Sequence, residues 1–132
     1  MKIAVGTDDK KTIRKKHFGE SRYFLVIEIL NAQIVGKDLR NNPYFEGEKP
    51  GAHHGQAEVI MKLLGDCELF MARSFGKISV REISIRGIDC ITTRKESVDQ
   101  AISAYLDGKL EDFNYYDSNA KDYVRCSQRP YK

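Results

Sequence analysis

The chain has 132 residues and a mass of 15.1 kDa, enough for one domain and too little for two independent cores. Hydrophobic residues make up 41% and charged residues 31%, which excludes a disordered or fibrous chain, and no apolar run reaches the roughly 18 residues of a membrane span. The net charge of +3, from 22 basic and 19 acidic residues, is too small to select nucleic acid as a partner.

Residues 2–8 read as a first strand, with Ile3 and Val5 apolar and Asp8-Asp9 closing it. This start lacks the apolar stretch and small-residue cleavage site of a secretory signal, so a cytoplasmic location is expected. Residues 9–22 are a polar connection. It carries Lys10, Lys11, Arg14, Lys15 and Lys16, then His17-Phe18-Gly19. Residues 23–30, Tyr-Phe-Leu-Val-Ile-Glu-Ile-Leu, suit a strand covered on both faces. Asn31-Ala32 turns the chain, and residues 33–40 return as a more polar strand of a hairpin.

Residues 41–55 hold two prolines and three glycines and have no periodic pattern. A loop this long in a compact domain is functional or disordered. Ala57, Ile60, Met61 and Leu64 then mark a helix that Gly65 stops. Residues 67–73 and 88–93 are the fourth and fifth strands. Between them Ile78, Val80, Ile83 and Ile85 alternate as a strand would. A helix is preferred there, because neighbouring parallel strands need a crossover of about a dozen residues. The last helix begins at a Ser97/Gln100 capping box and ends at Gly108. Residues 109–132 form a tail rich in tyrosine and charge, whose pattern does not decide between packing on the domain and floating free. The expected fold is α/β, a mixed five-stranded sheet in the order β-β-β-α-β-α-β-α, flanked by helices.

Residues 1–108 resemble the dinitrogenase iron–molybdenum cofactor biosynthesis family. The resemblance rests on Lys2-Ile3-Ala4-Val5, on His17-Phe18-Gly19 followed by Tyr23-Phe24-Leu25-Val26-Ile27-Glu28, and on Gly76 and Gly87-Ile88. It implies a ribonuclease H-like fold for residues 1–108, with 109–132 as an extension outside the common domain. It also implies carriage of a metal–sulfur cluster or its precursor during cofactor assembly, without catalysis. The cargo would be an iron–sulfur or molybdenum-containing cluster and the partners cofactor-assembly proteins. A family histidine near the start is associated with cluster binding, and the motif carries that role onto His17 alone. The basic connection and the Ser74-Phe75-Gly76-Lys77 turn depart from the family pattern.

All three histidines, His17, His53 and His54, lie in predicted loops, and imidazole is the commonest metal ligand near neutral pH. The functional reading is one shared pocket of His17 with the 51–55 loop. The plainer reading is that His17 anchors its own loop while the His-His pair is exposed. Lys15 and Lys16, within the basic run, are an electrostatic collar for an anionic cluster, a contact for a partner or nucleic acid, or simply a solvated loop. Cys67 and Cys90 read as core fillers rather than ligands, and Cys126 reads as an exposed tail residue. The three cysteines form no C-x-x-C pair, which argues against a zinc ribbon or redox dithiol.

Other chemistries lack support. A two-metal nuclease would draw on Asp8, Asp9, Glu28 and Asp66, but adjacent residues at a strand end point opposite ways. There is no P-loop lysine and no G-x-S-x-G elbow. The competing class is a protein-interaction or regulatory module using the basic loop and the tyrosine-rich tail.

Overall fold

The computed structural model describes residues 1–45 and 56–130. Its strands are β1 (Lys2–Thr7), β2 (Tyr23–Leu30), β3 (Gln33–Asn41), β4 (Leu69–Ala72), β5 (Asp89–Thr93), β6 (Phe113–Asp117) and β7 (Asp122–Arg125). The helices are α1 (Gln56–Leu64), α2 (Lys77–Ile85) and α3 (Val98–Leu106). All seven strands join one sheet in the order β3-β2-β1-β4-β5-β6-β7. The central β1, β4 and β5 are mutually parallel, and the flanking pairs are antiparallel.

The alternation of side chains along the strands sorts the core into two layers. Ala4, Phe24, Val26, Phe70 and Cys90 face one way and meet Ala57, Ile60 and Leu64 of α1 and Val80 and Ile83 of α2. Ile3, Val5, Ile27, Met71 and Ile91 face the other way and meet Val98, Ala101 and Ile102 of α3. β2 contributes to both layers, which accounts for its nearly unbroken apolar run. Asn31 and Ala32 both take positive φ (53° and 61°) in the tight turn of the β2–β3 hairpin, as the right-handed strand twist requires.

The ambiguous segment before β5 is the helix α2, as the crossover argument requires. The Ser97 hydroxyl accepts the Gln100 amide at 3.2 Å and starts α3. Gly108, at φ 74°, lies just past its end.

Three expectations need correction. The sheet has seven strands rather than five, because the tail packs on the domain and extends the sheet past β5. Phe113, Tyr115 and Tyr116 are buried, and Arg129 grips the Asp89 carboxylate through two bonds of 2.7 and 3.1 Å while its guanidinium lies 4.1 Å from the Tyr115 ring centre. Cys126 is buried in the second layer rather than exposed. Cys67 precedes β4 instead of lying within it. The tail has no clean alternation because β6 buries adjacent Tyr115 and Tyr116 on opposite faces and β7 is short and largely exposed.

Candidate functional site

The C-terminal ends of the parallel strands β1, β4 and β5 lie at one edge of the sheet, and loops leave all three. In open α/β sheets this edge is where ligands are held. The loop after β1 is ordered from within. The Asp9 carboxylate accepts the Lys11 and Thr12 amides at 2.9 and 2.7 Å and the Thr12 hydroxyl at 2.7 Å. The Thr7 hydroxyl donates to the Thr12 carbonyl at 2.6 Å. These bonds hold the Asp9 carboxyl well below the usual carboxylate range, the Thr12 hydroxyl contributing most.

The basic run is not a uniformly solvated loop. Ile13 is 2% exposed and enters the α3 layer, and its amide donates to the Glu96 carbonyl. Arg14 is 7% exposed. Its guanidinium meets Asp8 at 2.8 Å and Glu20 at 3.9 Å, and its Nε donates to the His17 carbonyl at 3.1 Å. Lys10, Lys11, Lys15, Lys16 and His17 remain exposed. Lys15 and Lys16 line a shallow pocket of about 320 Å³ with Asp8, Asp9, Thr12 and Arg14.

The position of His17 is set by the residue after it. Phe18 is buried among Phe24, Phe70 and Phe75, with ring centres 4.9, 5.0 and 5.2 Å away. The Phe18 amide donates to the Ser74 carbonyl at 2.9 Å, pinning the turn to the chain just beyond β4. Buried Asn42 donates to the Gly19 and Ser21 carbonyls from below. Gly6 has no room for a side chain, since Ser21 Oγ sits over its Cα. With these anchors in place His17 Nδ1 lies 3.1 Å from Ser74 Oγ. Nε2 is then the ring nitrogen left to meet a ligand.

Ser74 also lines a cleft of about 980 Å³ between the ends of β4 and β5 and the β6–β7 hairpin. Arg73 spans its floor, donating to the Thr93 and Arg94 carbonyls at 3.1 and 2.9 Å. Arg94 and Arg125 line it too, offset by Glu96, Glu111 and Asp112. The basic collar and the cleft thus flank His17 at one edge.

Of the expected site residues, His17, Lys15 and Lys16 share this edge. His53 and His54 lie outside the described residues. No three His, Cys, Asp or Glu side chains converge to hold a metal ion among the described residues. The nuclease quartet is dispersed: Asp8 and Asp9 stand at the C-terminal end of β1, whereas Glu28 pairs in register with Lys2 at its other end and Asp66 binds Lys2 there. Asp66 also takes two bonds from Arg40, at 2.7 and 2.8 Å, which keep its carboxyl ionised to unusually low pH. Cys67 and Cys90 are buried in the first core layer, and burial pushes both thiols up to about 12. Sequence reasoning missed Arg14, Ser74, Asn42 and Gly6, which orient the histidine. A lone polar residue near a strand end carries no signal of its distant partner.

Fold and site together define a mixed α/β protein with a charged edge at the carboxyl ends of its central parallel strands. Residues 1–108 match the dinitrogenase iron–molybdenum cofactor family, and the chain belongs to that family. An uncharacterized protein of Methanocaldococcus jannaschii is 28% identical over 115 residues, covering 86% of this chain and 92% of its own. The crystal structure of PH0822 superposes with a TM-score of 0.68 at 18% identity, over 97% of this chain and 96% of that one. The apo form of the orange protein from Desulfovibrio gigas gives 0.65 at 20% identity, over 82% and 88%. At such identities the two structures share the fold.

Proposed function

We propose that this protein is a non-enzymatic carrier or scaffold for a metal–sulfur cluster, or its precursor, in cofactor assembly in the cytoplasm. The family membership supports the cargo class. The observation that carries the reading is His17: an exposed imidazole held by Ser74 and by the buried Phe18, beside Lys15 and Lys16. One imidazole nitrogen supplies a single coordinate bond, and the collar supplies attraction for an anionic body. That combination suits docking of a preassembled cluster better than chelation of a bare ion. His53 and His54 are proposed as further ligands, and cofactor-assembly proteins as donors and acceptors of the cargo.

Anaerobic reconstitution with iron, molybdenum and sulfide, read by absorbance and metal analysis, tests this. The wild type should take up metal and sulfide together, and His17→Ala should take up much less. Equal and trivial uptake by both would sink the reading. His53→Ala and His54→Ala belong in the same series.

The second reading is an interaction module built on the basic loop. With Tyr115 and Tyr116 buried and Tyr123 exposed, it draws on Lys10, Lys11, Lys15 and Lys16 together with Tyr123 of the tail. Partner binding that survives His17→Ala and fails on charge reversal at Lys15 and Lys16 would favour it.

A further inference from the structure

Helix α2 is apolar on two faces. Val80 and Ile83 are buried against the sheet. The outward stripe is Ile78, Arg81, Glu82 and Ile85, at i, i+3, i+4 and i+7. Ile78 is 72% exposed and Ile85 77%, the highest values for large apolar side chains among the described residues. The Arg81 and Glu82 side chains are in no ion pair among those residues.

The helix sequence also reads alike from both ends. About the midpoint between Arg81 and Glu82, Val80 mirrors Ile83, Ser79 mirrors Ser84, Ile78 mirrors Ile85 and Lys77 mirrors Arg86. The central pair alone is unlike, and its charges are opposite. A two-fold axis through that midpoint therefore maps apolar onto apolar and cation onto anion, the condition for a self-complementary contact.

We propose that α2 is a homodimer contact, the occupant of its outer face being the antiparallel α2 of a second copy. Ile78 then packs on the partner's Ile85, and Arg81 pairs with the partner's Glu82, each twice by symmetry. Nine helical residues span only about 14 Å. The patch falls below a standard interface, so the dimer is weak, with a dissociation constant of order 0.1 mM. The competing surface is the exposed edge strand β3, which shows Val35 and Leu39. A symmetric antiparallel pairing that sets Val35 opposite Leu39 also sets Lys37 opposite its own copy, a like-charge contact.

Sedimentation equilibrium of the full chain up to about 1 mM decides. Wild type should show a concentration-dependent monomer–dimer equilibrium. Glu82→Arg sets cation against cation and should weaken it about tenfold or more. The double variant Arg81→Glu/Glu82→Arg restores opposite charges and should recover dimerisation. Ile85→Asp should abolish it. Arg81, Glu82 and Ile85 are all exposed, and circular dichroism should report an unchanged fold. A strictly monomeric wild type, a dimer indifferent to Glu82→Arg and Ile85→Asp, or a double variant that stays monomeric each overturns the proposal.

Discussion

His17 and Ser74, 57 residues apart, join the end of β1 to the end of β4 twice over: ring Nδ1 lies 3.1 Å from the Ser74 hydroxyl, and the next amide, of Phe18, donates to the Ser74 carbonyl at 2.9 Å. The backbone bond fixes the turn, and the side-chain contact steers the ring. Ser74→Ala separates the two. It should cost about 1 kcal/mol or less in urea denaturation, since the contact is exposed. It should also free the His17 ring, visible as averaged ring shifts by NMR and as weaker cluster uptake. An unchanged ring signal would mean that Ser74 does not orient it.

Phe18 is the anchor beneath that ring. Its stacked and tilted contacts with Phe24, Phe70 and Phe75 leave it 1% exposed. Phe18→Ala should destabilise the fold by about 3–5 kcal/mol, and chemical denaturation measures it. A loss below about 1 kcal/mol would show the aromatic cluster collapsing to fill the space.

Asp9 ties the acid limb of stability to the collar. Its folded carboxyl titrates well below the unfolded value of about 4. A depressed folded pKa stabilises above the unfolded value, and the benefit is lost as pH falls below it. Asp9 is exposed, which trims the effect, so Asp9→Ala should cost about 1 kcal/mol at pH 7. It should cost little near pH 2. Denaturation midpoints that fall equally with pH in both proteins would contradict this.

The three thiols respond in the opposite direction. Burial raises Cys67 and Cys90 to about 12 and Cys126 to about 11. Native protein at pH 8 should therefore react with alkylating reagents far more slowly than urea-unfolded protein. A raised folded pKa stabilises below the unfolded value of about 8.5 and loses that benefit as pH climbs towards 11–12. Rapid labelling of any of the three in the native state would refute the buried assignment.

Residues 109–130 share the sheet and the second core layer. Ending the chain at Gly108 removes Phe113, Tyr115, Tyr116 and Cys126, all buried. Each large aromatic contributes about 1.5–3 kcal/mol, against a total stability of about 5–15 kcal/mol. The shortened chain should lose cooperative unfolding. A dispersed amide spectrum from residues 1–108 alone would show that the extension is dispensable.

Local pattern in the sequence was enough for the other strands and helices through Gly108, because periodicity, caps and turn residues act over a few neighbours, whereas α2, whose alternation reads as a strand, followed from the crossover that parallel strands require. It also singled out His17 and the lysines around it. Tertiary structure decided the rest. The tail became two strands because β5 would otherwise be an open edge, a property of sheet order that no local window contains. Arg14 left the solvated run for a buried seat between Asp8, Glu20 and the His17 carbonyl, and α2 showed which of its two apolar faces meets the core. Each of these depends on partners far away in the chain, and packing alone brings them together.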